Sequence, residues 1–356
     1  MAEAETLSSV IGHQQAKSVL SASFESGRMP HAWLLTGQAG IGKSFLAHCF
    51  AATVIAQNSA QDALFDNASS VSFTPQMDNA DYRQVMQKAH PDFLMIAPIE
   101  DDKNKSGTIK TEQIRALIPF FSHKSARDGW RIAVIDSLDE VNHNGANAML
   151  KILEEPPEKT ILFLIATSAG SVLPTIRSRC RHLSCQDLSA DEQIQILQTH
   201  LPEAEPNQLA NLALLSGGSV GFALQLAETE AFDLYQASCH ILMTPQADAG
   251  ALLDISAKWS ATSAAKKALL FVAKQTFASL LADAALIASG QGGTKERIAF
   301  EAALINHLAA HNDAARLADM HSQFLKELKR LEASYLDGQA VFMSLFHKMH
   351  SLAHQK

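Results

Sequence analysis

The segment Gly37-Gln38-Ala39-Gly40-Ile41-Gly42-Lys43-Ser44 limits what this chain can fold into more than any other, because it satisfies GxxxxGK[ST] at every fixed position. Its glycines let the backbone curl so that successive N–H groups converge on an anion. Lys43 would neutralise the β- and γ-phosphates of a nucleotide, and the Ser44 hydroxyl would ligate Mg²⁺. The surroundings suit that chemistry. An apolar run, Ala32–Thr36, leads into the loop, and a helix carrying Phe45, Leu46 and Phe50 leaves it. Such a helix start turns its positive end toward the same anion. The sequence therefore predicts a site for ATP or ADP with Mg²⁺ held by Gly37, Gly40, Gly42, Lys43 and Ser44. The alternative is a glycine-rich turn with an exposed lysine.

A phosphate loop of this type needs a parallel α/β sheet, and the first half of the chain reads as one. Near-continuous apolar runs at Ala32–Thr36, Phe93–Ala97, Arg131–Ile135 and Ile161–Ala166 predict strands buried on both faces. Helices are predicted between them at Gln14–Glu25, Ser44–Ala56, Thr111–Phe121 and Asn144–Glu154, with Thr111 and Glu112 as helix-starting residues. Asp136 ends the third strand, where an acidic group would hold the hydration shell of the Mg²⁺ as a second metal-side residue beside Ser44. Residues 57–90 are rich in Asn, Ser, Gln and Asp and predict an irregular polar insertion, and Asp101–Gly107 predicts a charged turn.

Beyond Leu188 the strand signals stop. Residues 189–228 read as a small helical unit opened by Ser189 ahead of Asp191-Glu192 and interrupted at Gly217-Gly218. Ala/Leu-rich amphipathic stretches follow at 262–289, 296–309 and 313–333. A last helix carries Val341, Leu345 and Met349 with Phe342 and Phe346, a stripe suited to core or subunit packing. A chain of 356 residues is too long for one small core. The expected division is 1–187 for the nucleotide domain, 188–230 for a helical lid and 231–356 for a helical C-terminal domain.

Several function classes are disfavoured by composition. A net charge of −8 would not draw the whole molecule to DNA, so any DNA contact should be local or supplied by other chains. Cys49, Cys180, Cys185 and Cys239 have no CxxC spacing, so neither a disulfide framework nor a zinc site is expected. The polar Met1–Thr6 does not read as a secretory signal, and no apolar run approaching the ~20 residues of a membrane span is read from the chain. The expected compartment is the cytoplasm.

Further strings carry a resemblance. Asn147-Ala148-Met149-Leu150-Lys151-Ile152-Leu153-Glu154-Glu155-Pro156-Pro157 is similar to the NALLKxLEEPP segment of clamp-loader subunits, and Ser178-Arg179-Cys180 matches their SRC motif. With the phosphate loop and Asp136, residues 8–185 resemble the clamp-loader branch of the AAA+ proteins. His31-Ala32-Trp33-Leu34-Leu35, His90-Pro91-Asp92, Gly129-Trp130-Arg131 and Pro174-Thr175-Ile176 resemble its delta-prime group in bacterial DNA polymerase III.

This resemblance implies an AAA+ P-loop domain, a lid and an all-helical collar. It implies partnership with gamma/tau and delta subunits, a sliding clamp and primer–template DNA, with no membrane. Arg179 is implied as an arginine finger presented to a neighbour's ATP, Arg177 as a weaker candidate, and Thr167, or Ser168 beside it, as a sensor at the end of the fourth strand. The zinc module of many relatives is not carried over, because residues 50–130 contain no cysteine.

Two departures from the pattern matter. Ser137 stands where active ATPases carry the glutamate that polarises water, and a hydroxyl is a poor base at neutral pH. Gly218-Ser219-Val220-Gly221-Phe222-Ala223-Leu224 has no arginine where related subunits place one against the γ-phosphate. Weak intrinsic hydrolysis is expected. A self-sufficient motor ATPase, gamma/tau-like or another AAA+ remodeller, and a scaffold that binds no nucleotide are the competing readings.

Overall fold

The computed structural model describes residues 9–60, 71, 73–99, 108–125, 128–229, 231–246, 249–260, 265–292, 296–333 and 337–354. The predicted turn at 101–107 lies outside them. The chain divides into two compact units, Met1–Pro202 and Glu203–Lys356. That boundary falls inside the predicted 188–230 segment.

The first unit is an α/β layer structure. Its elements are α1 (Gln14–Glu25), β1 (Ala32–Thr36), α2 (Lys43–Ala60), α3 (Ala80–Met86), β2 (Phe93–Ile96), α4 (Thr111–Arg115), α5 (Leu117–Ser122), β3 (Arg131–Ile135), α6 (His143–Glu154), β4 (Thr160–Ala166), α7 (Pro174–Arg177), β5 (Arg181–Ser184) and α8 (Ala190–His200). The strands form one sheet in the order β2-β3-β4-β1-β5, every pairing parallel.

Alternation along each strand supplies two apolar layers. Trp33, Leu35, Ile132, Val134, Phe163 and Ile165 face Leu20 of α1 and Leu46, Phe50 and Val54 of α2. Leu34, Ala133, Ile135, Leu162 and Leu164 face Ile114, Leu117, Phe121, Met149 and Leu153 of α4 to α6. Each large side chain removed from water contributes about 1.5–3 kcal/mol. The two layers therefore dominate the stability of the sheet.

Four differences from the expectations have physical causes. The 57–90 insertion is not wholly irregular: α2 runs on to Ala60, α3 occupies 80–86, and Val71, Tyr82 and Val85 are buried in the first layer. Its polar composition hid those few apolar anchors. The predicted Thr111–Phe121 helix is two, because Pro119 has no N–H to give the Arg115 carbonyl. Its start is held by Gln113, whose Oε1 accepts the Lys110 N–H at 2.9 Å, while the Thr111 hydroxyl donates to Asn142 Oδ1. Finally, β5 was not read as a strand. It is a short edge strand with only Leu183 buried, so it carries no apolar run.

In the second unit α9 (Pro206–Ser216), α10 (Val220–Glu228), α11 (Ala231–Met243), α12 (Ala249–Trp259), α13 (Ala265–Ala288), α14 (Ala299–His311), α15 (Ala314–Ala333) and α16 (Gly338–His354) form an all-helical body. Gly217 (φ 57°) and Gly218 (φ 101°) turn the chain between α9 and α10, and Ser219 caps α10 through Phe222 N–H. Phe342, Leu345, Phe346 and Met349 are buried, so the α16 stripe is core, packed around Trp259 and Phe277.

One segment of α13, Ala268–Ala288, is long and apolar enough to cross a membrane, contrary to the sequence reading. Half of it is buried within the protein, through Val272, Phe277, Leu280 and Leu281 among others. A core helix of this unit accounts for it.

Candidate functional site

All five strands are parallel, so their C-terminal ends meet at one edge of the sheet. Thr36 of β1 runs into the glycine loop, Ile135 of β3 into Asp136, Ala166 of β4 into Thr167, and Ser184 of β5 into Cys185. The strand order places β4 between β1 and β3, so Thr167 lies between the loop and Asp136.

The loop itself needs its glycines. Gly37, Gly40 and Gly42 have φ of 150°, 78° and 96°. A Cβ on Gly37 would lie 2.5 Å from the backbone oxygen of Cys185, so β5 closes against the loop only because this position is bare. Lys43 opens α2 and is 5 % exposed. Its Nζ donates to the carbonyls of Gly37 and Gln38, each at 2.6 Å. Burial pulls the ammonium pKa below its ordinary value, against the opposing fields of Cys185, Asp136, Asp139 and Asp187. Asp136 therefore lies within electrostatic reach of Lys43, as a shared cation–metal site requires. Ser44, the next residue of α2, is half-buried. This donor set fits a Mg²⁺-nucleotide: a curled glycine loop, a cation folded over it, a hydroxyl and a facing carboxylate.

Three neighbours shape the surroundings of the loop. His13 adopts the left-handed region (φ 53°), and its Nε2–H donates to the Ile41 carbonyl at 2.7 Å, bracing the loop from below α1. Burial lowers its pKa. Asp139 turns to the end of β4, where its carboxylate accepts the Thr167 N–H at 2.7 Å and the Ser171 hydroxyl. Thr167 and Ser168 are exposed. The third neighbour, Ser137, is left-handed (φ 66°) and starts a 3-10 turn, Leu138–Glu140, that contains Asp139. Spacing alone could not reveal these contacts, since they depend on backbone turns.

In the second unit the segment that lacks the expected arginine uses Phe222 as a buried core residue against Phe271. The four cysteines are free. Cys49, Cys185 and Cys239 are buried, and burial raises the Cys49 thiol to about 12.

Arg179 occupies a different corner. It precedes β5, and Glu154 ends α6 just before β4, so both stand at the N-terminal edge of the sheet. The register pairs Trp33 with Arg181 and Thr36 with Ser184, so the length of β5 separates Arg179 from the loop, about 10 Å over three residue steps. Arg179 is exposed. Its Nη2 meets Glu154 Oε1 at 2.7 Å, and its Nη1 donates to the Thr175 carbonyl at 2.9 Å and to Ser178 Oγ at 3.4 Å. Arg177 instead donates to the Ala169 carbonyl.

The family model described as "DNA polymerase III, delta subunit" matches residues 12–189. The chain is 33% identical over 189 residues to DNA polymerase III subunit delta' of Pseudomonas aeruginosa, covering 53% of each chain. It is 28% identical over 229 residues to subunit tau of Escherichia coli, covering 63% of this chain and 33% of that one. Thus the chain spans about half the length of the first relative and a third of the second. A Thermotoga maritima gamma subunit-related structure aligns over 96% of this chain and 99% of its own, with 15% identity and a TM-score of 0.41. The family match runs from the segment beneath the glycine loop, through both acidic turns, to the corner that holds Arg179, and covers half of the chain: the protein belongs to the delta-prime-like family of DNA polymerase III clamp-loader subunits.

Proposed function

We propose that this subunit works in a clamp loader chiefly by lending Arg179 to a nucleotide held on an adjacent subunit, while its own site binds nucleotide and turns it over slowly. The observation that carries this reading is the position of Arg179, outward-facing and at the opposite end of the sheet from Gly37–Ser44. A guanidinium there cannot serve its own loop. It is free to meet another chain's phosphates, where an arginine finger can raise the rate by ~10³–10⁵.

The subunit's own pocket would hold ATP or ADP through the N–H groups of the Gly37–Gly42 loop and Lys43, with Ser44 and Asp136 on the metal side and Thr167 near the terminal phosphate. Bound Mg²⁺ would bridge and neutralise phosphate oxygens. The position where a base is expected does not hold one. Ser137 offers only a hydroxyl, and the Asp139 carboxylate, two residues on, is engaged by Thr167 and Ser171. Without a group to orient and deprotonate water, occupancy need not lead to turnover.

In this reading residues 1–187 are the nucleotide domain, 188–230 the lid and 231–356 the collar through which subunits assemble. The partners are gamma/tau and delta subunits, the sliding clamp and primer–template DNA in the cytoplasm, and the net charge of −8 leaves most DNA contact to the other chains. Nucleotide titration of the isolated chain beside a turnover assay tests the pocket, and Arg179→Ala in the reconstituted complex tests the finger. Expected are binding with slow turnover, and a complex that assembles but loses ATPase. Rapid multiple turnover by the isolated chain would overturn the first half, and undiminished ATPase of the Arg179→Ala complex the second.

A further inference from the structure

We propose that Glu154, the last residue of α6, is a positioning residue for Arg179, holding its guanidinium in the orientation in which it is offered to the neighbouring subunit. This rests on the reading of Arg179 as a trans-acting group.

Two separate elements grip the guanidinium at its two terminal nitrogens. The Glu154 carboxylate takes Nη2 at 2.7 Å, a charge-assisted distance, and the Thr175 carbonyl of α7 takes Nη1 at 2.9 Å. Fixing both ends of a planar group fixes its plane. A guanidinium has five N–H donors, so these contacts leave donors for phosphate oxygens of another chain.

The ion pair is open to water, with side-chain exposures of 36% for Arg179 and 50% for Glu154. Exposed pairs of this kind add little to folding stability. Orientation is the property such a contact can still govern. A long arginine side chain loses much rotamer freedom when it is immobilised, and part of that loss is already met before assembly. Glu154 directly follows Leu153, a core residue of the second layer, so its backbone is firmly placed.

The test uses the reconstituted complex and the free chain, with Arg179→Ala, Glu154→Ala, Glu154→Gln and the Arg179→Ala/Glu154→Ala double variant. Glu154→Ala should lower the Arg179-dependent part of kcat by about three- to tenfold, with KM for ATP and complex assembly unchanged. Glu154→Gln, which keeps an acceptor oxygen, should recover part of the loss, and the double variant should match Arg179→Ala alone. In the free chain, ¹⁵N-arginine NMR should show the Arg179 Nε–H ordered in the wild type and mobile, with an order parameter below about 0.6, in Glu154→Ala. If Arg179→Ala itself leaves kcat unchanged, the trans-acting reading fails. If Arg179→Ala lowers kcat but Glu154→Ala leaves it unchanged or raises it, the positioning role fails while the finger stands. An equal effect of Glu154→Ala in the Arg179→Ala background would also overturn it, since Glu154 would then act independently of Arg179.

Discussion

Lys43 and Arg179 belong to the same α/β unit and receive opposite treatment. Lys43 is buried, its ammonium folded onto the Gly37 and Gln38 carbonyls with acidic side chains around it. Arg179 stands in solvent at the far end of the sheet, with an ion pair that water screens. A buried cation with internal partners suits a pocket that waits for an anion to enter. An exposed one, tethered but not enclosed, suits contact with a second protein. In the proposed function, one end of the sheet holds a nucleotide and the other acts on a neighbour's.

The contrast can be broken most severely at Arg179. Arg179→Ala should cut turnover at the site it faces by ~10³-fold or more, and Arg179→Lys should restore little, because an ammonium lacks the planar fork. ATPase of the assembled complex, with subunit composition checked by size-exclusion chromatography, measures this. Lys43→Ala should act on binding instead. Loss of charge-assisted contacts to phosphate, about 1.5–3 kcal/mol each, should weaken nucleotide affinity of the isolated chain roughly ten- to hundredfold in a fluorescence titration.

Smaller effects sharpen the picture of the loop end. Gly37→Ala would drive a methyl group against the Cys185 carbonyl and should destabilise the chain by about 1–3 kcal/mol in urea denaturation. Protonation should matter less. His48 is buried, stacked on Phe93, and donates its Nε2–H to the Val85 carbonyl at 2.7 Å, and burial lowers its pKa, as it does for His13. The unfolded residues, with pKa near ~6.5, then take up protons before the folded ones. Stability from these residues is therefore full above about pH 6.5 and falls as pH drops below it. Urea midpoints at pH 7.5 and 5.5 should show the decline, and His48→Gln should reduce it.

How much of this was legible in the sequence varied with the signal. The core strands were readable because Ala32–Thr36, Arg131–Ile135 and Thr160–Ala166 are buried on both faces and so carry continuous apolar runs. The edge strand β5 buries only Leu183 and left no such trace. In the 57–90 segment, a few anchors such as Tyr82 and Val85 were outvoted by polar neighbours. At the site, the glycine loop and Lys43 were legible through fixed spacing, and Asp136 through its place at the end of an apolar strand. The roles of His13, Asp139 and Glu154 come from turns and from strands distant in the chain, and spacing does not encode them.

Single-turnover ATP hydrolysis, followed in the complex built with wild-type or Arg179→Ala chains and in the isolated chain, bears most directly on the division of labour between the two ends of the sheet. The prediction is a slow isolated chain, a fast wild-type complex, and a variant complex of the same composition that has lost the turnover of one site. A variant complex as fast as the wild type, or an isolated chain as fast as the complex, would contradict it.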